Sequence, residues 1–461
     1  MGRYKHKSCR MDIRRRIIRI NSPSLRMPQL NSAAIAAIIT LLLFTFAGYS
    51  YADPAEIPNC IKYDLYNARG SEVPFPSNCE SMKPDLGGLR QKLFENGSNI
   101  QIFISGGFDY DLNSYGGGLQ LYGGQKPTYT SSGTISFTHD LEKYGLPYGS
   151  LFLFAPVINY NSFSDGGITG AYISQMSGLV PFYDNRIIVQ FGYYNLSAQF
   201  YGQTIGNNFA ASALGPQSVI LNGLGAGGLK PTPAFDIRMY SPSKRFYNHF
   251  GVARSISPLG IFADAHHNSS GLSFATPDAG VVLIDEVGYR VEASADTRKI
   301  WLRSGAVYNT SEYPHLNDPD ENSNNLGFYG VGDIQLTQPN TSLPYQGWYI
   351  NGRVDWSLEE VNAFAYDWGA TLYRLGTFRT RPYDVFSLGI STSYFSRYAQ
   401  QAAKSAGIKP ATSSGSYSAS YTYRLRQGAY IQSALTYTDN PTFAPVRKGA
   451  LNAHIGLTLF F

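Results

Sequence analysis

Arg186, Arg238, Arg290 and Arg353 lie in or beside apolar runs of this sequence, and so do Asp236, Glu286, Asp333, Asp355 and Asp367. Planar guanidinium donors set against carboxylate acceptors, with aromatic faces nearby, suit a neutral, hydroxyl-rich solute such as a sugar. The plainer reading is that a water-filled lumen tolerates such residues and most of them only solvate its wall. Catalytic signatures are missing from the sequence. It contains no GxSxG, HExxH, GxxxxGK[ST] or EF-hand loop. His266 and His267 are adjacent; in a strand they would face opposite ways and could not share a metal, so they read as loop histidines. No metal site and no cofactor is expected. A Ser, His and Asp assembled from separate segments stays open as a route to an enzyme.

The charged residues sit in segments that alternate with period two, so strands must position them. In Gly347–Ser357, Trp348, Ile350, Val354 and Trp356 share one face; Tyr349, Asn351, Arg353 and Asp355 share the other. Phe235, Ile237 and Met239 alternate with Asp236, Arg238 and Tyr240. Phe364, Tyr366, Trp368 and Leu372 oppose Asp367, Gly369 and Thr371, while Phe386, Leu388, Ile390 and Tyr394 oppose Ser387, Gly389 and Ser391. The final run sets Ile455, Leu457, Leu459 and Phe461 against Asn452, His454, Gly456 and Thr458. One run strains the rule: placing Glu286, Gly288 and Arg290 inside leaves Asp285 toward lipid, which predicts a bulge or a membrane boundary there.

A soluble sandwich would also alternate, but the apolar faces carry Trp and Tyr near strand ends, as interfacial girdles require. The chain ends flush on an aromatic strand, which must pair with the first strand because free backbone groups cannot be left in lipid. Composition agrees. Only 15% of residues are charged, with 35 Tyr, 27 Phe and 47 Gly, and mean hydropathy is −0.20. Apolar-out, polar-in strands average to that neutrality. The expected fold is an all-β transmembrane antiparallel barrel of a Gram-negative outer membrane.

Residues 1–52 read as a signal peptide: a basic start, an apolar stretch from Ala33 to Gly48, and Ser50-Tyr51-Ala52 at a cleavage site. A membrane anchor is the alternative, and Met11 could be the true start. Nine of the 37 basic and one of the 32 acidic residues lie there, leaving 28 against 31, net −3. That balance argues against a nucleic-acid partner and against an anion-selective pore. Cys60 and Cys79 remain, suggesting one disulfide in an oxidising compartment. Residues 53–98 read as an N-terminal periplasmic segment. It ends in a short amphipathic helix within Asp85–Gly97, with Leu89, Leu93 and Phe94 on one face and Gly97 as its stop. Residues 99–461 form the barrel. At roughly 20–25 residues per strand and connection, it has about 14–18 strands. Thr310–Asn325 reads as a solvated loop. Asn207–Lys230, long and apolar, either folds into the barrel or caps its outer side.

Eight segments resemble, in order, the carbohydrate-selective porins of the OprB family. They begin with Asp85-Leu-Gly-Gly-Leu-Arg-Gln-Lys-Leu, Gly116-Gly-Gly and Asp140-Leu-Glu-Lys-Tyr-Gly145. Phe246-Tyr-Asn-His-Phe-Gly-Val-Ala-Arg-Ser255 and Asp285-Glu-Val-Gly-Tyr-Arg290 follow. Then come Gly327-Phe-Tyr-Gly-Val-Gly-Asp-Ile-Gln335 and Arg381-Pro-Tyr-Asp384, before a closing hairpin from Asn440-Pro441 to Phe461. The resemblance implies a barrel of about 16 strands that passes monosaccharides or small oligosaccharides by passive diffusion, as a monomer, through a constriction of arginine and acidic side chains. Glu286, Arg290 and Asp333 carry over most directly as lumen-facing. Outer-membrane lipid, lipopolysaccharide and the barrel-insertion machinery are the other expected partners. A less selective porin for small polar solutes or organic acids is the alternative, and a barrel-scaffolded enzyme or adhesin is the reading from another class.

Overall fold

The computed structural model describes residues 60–69, 75–113, 118–201 and 223–461. The expected signal peptide, Gly116-Gly117 and most of Asn207–Lys230 lie outside them.

Among the described residues, alternation produces sixteen strands. The first eight are β1 (Ser98–Asp111), β2 (Thr128–Asp140), β3 (Leu151–Asn161), β4 (Gly170–Phe182), β5 (Ile187–Tyr194), β6 (Thr232–Tyr240), β7 (Phe246–Arg254) and β8 (Val281–Val291). The rest are β9 (Ile300–Pro314), β10 (Asn322–Gln335), β11 (Gly347–Ser357), β12 (Phe364–Leu375), β13 (Val385–Phe395), β14 (Ser413–Arg426), β15 (Ala429–Thr438) and β16 (Ala450–Phe460). Each pairs antiparallel with its chain neighbours, and β16 closes on β1, so the sheet is a barrel without a free edge. Closure satisfies the backbone of every strand within the sheet, the condition for crossing hydrocarbon. At the seam, Ile102 and Phe461 exchange backbone hydrogen bonds of 2.9 and 2.8 Å.

The faces fall as the alternation requires. Along β11, Tyr349, Arg353, Asp355 and Ser357 are buried inward while Ile350, Val354 and Trp356 are exposed outward. Asp285 breaks the pattern without breaking the sheet. Pairing of β8 with β7 and with β9 runs without a register shift, so there is no bulge. The carboxylate faces outward and accepts a 2.7 Å hydrogen bond from outward-facing Asn248 on β7.

Short turns lie at one rim of the barrel and longer loops at the other. The expected loop Thr310–Asn325 is mostly strand: β9 runs to Pro314 and β10 starts at Asn322, leaving a connection of 315–321. Its Asn- and Asp-rich composition suggested solvent, and a hairpin extending past the wall satisfies both composition and backbone. The adjacent histidines close a short helix, α2, after the N-terminal helix α1 (Leu89–Glu95); α2 spans Ile261–His267. A third, α3 (Arg397–Ser405), starts where Ser396 accepts hydrogen bonds from the Tyr398 and Ala399 amides.

The N-terminal segment docks on the short-turn rim. Cys60 and Cys79 are joined as a disulfide. Phe94 of α1 packs on Tyr63 and Tyr66, but Leu89 is exposed and the fully buried residue is Arg90. Helical periodicity cannot register that the backbone of β1 lies against this face. The Arg90 guanidinium donates to the Ile100 carbonyl at 2.9 Å and to those of Lys83 and Pro84. Inward-facing Leu151, Leu153 and Leu179 at this rim are covered by Ala68, Tyr66 and Phe75.

Candidate functional site

The connection from β5 to β6 decides how the lumen is used. Its two described flanks, through Tyr201 and from Gly223, turn into the barrel. Leu196, Phe200, Tyr201, Leu224 and Ala226 are buried against inward-facing Val282, Ile284, Val307 and Val331. Inward valines and isoleucines would be misplaced in a wet lumen. Here they form a hydrophobic core between wall and loop, removing apolar surface from water on both sides.

Polar groups fasten that core. The Tyr201 hydroxyl donates to Asp355 at 2.6 Å, and its amide donates to Glu286. Glu286 also accepts from the Tyr247 and Tyr329 hydroxyls, each at 2.7 Å. Those rings reach across because the wall is bare beneath them: a Cβ at Gly288 would collide with Tyr247, and one at Gly305 with Tyr329. On the adjoining strands Asp236 accepts from the Tyr194 hydroxyl at 2.7 Å and lies 2.8 Å from His249 Nε2. Arg238 donates to Gln199 at 2.6 Å, and Phe200 stacks on the His249 ring at 3.9 Å. The returning flank is held through its carbonyls: Leu224 by Asn309, Gly223 by Asn325, and Gly225 by the Ile256 amide. Lys230 finishes it by donating to the Ala265 and Ser269 carbonyls at and beyond the C-terminal end of α2, where the helix dipole favours a cation.

Beneath this layer, Arg303 and Asp333 form a fully buried pair at 3.1 Å, with the Arg303 guanidinium 3.6 Å from the centre of the Trp301 ring. Arg353 lies within 4 Å of both Asp355 and Asp367, which are cross-strand partners. Arg290 lies 4.6 Å from the centre of the same Trp301 ring and pairs with Glu292 at the short-turn rim. Burial works against the Glu292 carboxylate, but Arg290 and Lys299 outweigh it and hold it below the ordinary carboxylate range.

The opposite arc differs in kind. Ser105, Gly107, Thr130, Ser132, Asn159, Tyr172 and His454 of the wall, together with Gly228 and Leu229 of the inward loop, line a cavity of about 440 Å³. His454 Nδ1 lies 2.9 Å from Asp109 Oδ1. A barrel lumen narrowed from one side by a fastened loop, with a hydroxyl- and amide-lined passage left on the other, is a diffusion channel.

The profile of the carbohydrate-selective porin, OprB family, matches residues 138–458. The chain belongs to this family. Among solved structures it is similar to the high-pH structure of Pseudomonas putida OprB, with a TM-score of 0.67 at 15% identity over 86% of this chain and 100% of that one. The low-pH structure of the same porin gives 0.51 at 15% identity, over 84% and 100%. No curated protein matches. For an OprB-family porin the sixteen-stranded closed barrel is the expected architecture, and family and fold point to a channel rather than an enzyme. They also imply an outer-membrane protein.

Of the residues singled out in the sequence, the structure brings Arg238, Glu286, Asp333, Arg353, Asp355 and Asp367 into one arc, each at most 8% exposed. Arg290 stands at the rim of that arc. Arg186 is apart, exposed in the turn between β4 and β5. Sequence reasoning missed Arg303, Trp301, Tyr201 and His249. Arg303 and Trp301 alternate correctly in β9 and could have been found. Tyr201 lies in a loop, where no periodicity marks it.

Proposed function

We propose that this protein carries out passive, carbohydrate-selective diffusion of monosaccharides across the outer membrane into the periplasm, working as a monomer with the short-turn rim on the periplasmic side. The observation that carries this reading is the divided lumen. One arc is filled by loop and charge network; the passage beside it is lined by hydroxyls, amides and Tyr172 of the wall and by Gly228 and Leu229 of the inward loop. Sugars offer hydroxyl rims and C–H faces together, so such a passage replaces their water on both counts. Charged solutes would exchange full hydration for neutral hydroxyls, at a far greater cost. Outward Phe and Tyr pairs such as Phe246–Tyr289 and Tyr366–Tyr394 fit lipid or lipopolysaccharide at the interfaces. The barrel-insertion machinery would assemble the chain by its terminal strand.

Proteoliposome swelling tests the reading. Monosaccharides should enter faster than amino acids or organic acids of similar size. Equal rates for all three would overturn sugar selectivity and leave a general porin.

A further inference from the structure

Arg374 stands on the opposite side of the wall from Arg238, Arg303 and Arg353. On β12 it follows inward-facing Tyr373 and shares the lipid-facing side with Leu372. Its cross-strand partners are Trp348 on β11 and Phe386 on β13, and Phe386 in turn pairs with Tyr421 on β14. Trp348, Arg374 and Phe386 each lie one residue from the short-turn end of their strand. The four residues therefore form one outward row beside that rim, about 14 Å long from strand spacing.

The row has donors to spare. The Trp348 and Phe386 rings meet at 6.4 Å across β12, and the Arg374 guanidinium lies 5.6 Å from the centre of one indole ring, that of Trp348. Arg374 is half-buried, and among the described residues it makes no hydrogen bond and no ion pair. Its Nε is sealed against the wall, so its terminal nitrogens are the ones that reach the surface. The Trp348 indole N–H beside it is unpartnered too. The nearby acid is committed elsewhere: Asp384 accepts from Arg381, from the Tyr421 hydroxyl and from the Arg424 amide. Arg381, so held, stacks 3.8 Å over the lipid-facing Tyr423 ring and adds a second cation nearer the rim. A barrel wall tolerates a cation at the interface far better than at mid-bilayer, and there a phosphate can complete it.

We infer that this row is a binding site for an anionic phospholipid of the periplasmic leaflet. The Arg374 guanidinium takes the phosphodiester, whose geometry matches its fork of donors. The Trp348 N–H is a second donor at headgroup level, where an indole has its apolar body in lipid and its polar edge in the interface. The acyl chains run up the wall over Ile350, Leu372 and Leu388, all exposed. Arg374 and Arg381 against the single carboxylate of Asp384 leave one positive charge. A phosphodiester without an ammonium group neutralises it; a choline headgroup, neutral already, does not. The choice of leaflet rests on the orientation proposed above, and the site itself is independent of which solute crosses the lumen.

The test is native mass spectrometry of the detergent-purified full-length porin, offered equal amounts of phosphatidylglycerol and phosphatidylcholine with the same acyl chains. The parent should retain phosphatidylglycerol about fivefold over phosphatidylcholine, the effect of one cation at an anionic lipid surface. Arg374→Gln should bring the ratio close to one, and Arg374→Lys, which keeps the charge, should hold most of it. Arg186→Gln removes the same charge from the same rim in the distant turn between β4 and β5, and should leave the ratio at the parent's value. Unchanged ion conductance in each variant shows that the barrel is assembled. A parent without preference, an Arg374→Gln ratio equal to the parent's, or an equal loss in Arg186→Gln overturns the site. The leaflet has its own readout. A bulky impermeant maleimide should reach Arg379→Cys, in the turn after β12, only once the outer membrane is opened. Labelling in intact cells would put this rim outside and overturn the periplasmic assignment, while the swelling assay judges the sugar reading separately.

Discussion

The arc of wall from β6 to β12 and the arc from β15 through β1 to β3 obey the same alternation, yet their inward residues do opposite work. In the first, carboxylates and guanidiniums are buried under a loop and held by tyrosines, a histidine and ion pairs with each other, with both Asp367 oxygens left without a hydrogen bond. In the second, hydroxyls, amides and one imidazole line the passage itself. The difference shows that lumen-facing is not one environment. A charge can be placed inward to meet a solute or to hold a loop, and only what covers it decides which.

Removing Arg353 should break the contrast most strongly. It is the cation beside both Asp355 and Asp367, and taking one partner from a buried ionic group costs about 3–5 kcal/mol. Arg353→Ala should lower the urea midpoint of the barrel sharply, and adding Asp367→Asn to the same chain should recover part of the loss. A midpoint within error of the parent would mean that this arc is wetter than its burial indicates.

Tyr201→Phe is a smaller change with a more telling readout. It deletes the hydroxyl that donates to Asp355 and leaves a buried acceptor without its partner, at a cost of about 1–3 kcal/mol. The loop flank loosens and the passage beside it widens. Single-channel conductance should rise and discrimination between sugars and amino acids should fall. If conductance is unchanged, the fastening described here does not set the passage width.

How much of this was legible follows from which contacts are local. The strands, their faces and the closing hairpin were readable because alternation is a property of each segment by itself. The inward placement of Arg353, Asp355 and Asp367 was readable for the same reason. Their burial was not, because it depends on Tyr201, which is 154 residues from Asp355 along the chain. One local signal was available and went unused. Val281-Val-Leu-Ile284 is apolar on both faces, and a strand with both faces apolar has something packed inside as well as lipid outside. Val282 and Ile284, each 0% exposed, are the floor on which the loop rests. The sequence left two readings for Asn207–Lys230, folding inward or capping. Its described part, from Gly223, folds inward, as that doubly apolar strand requires.

The sharpest form of the comparison removes one hydroxyl from each arc. Ser132 faces the passage and donates to Asn159 at 2.7 Å, and Asn159 in turn donates to the Tyr172 hydroxyl at 3.0 Å. In Ser132→Ala both remaining groups stay beside the passage, where water can take the vacated place. The expected stability change is within about 0.5 kcal/mol, as for surface sites, against the larger loss expected of Tyr201→Phe. Urea midpoints of the two variants, measured side by side, check this directly. Equal losses would make the two arcs one environment after all; a loss confined to Tyr201→Phe would show that the same atom, removed from the same barrel, matters according to whether water can follow it.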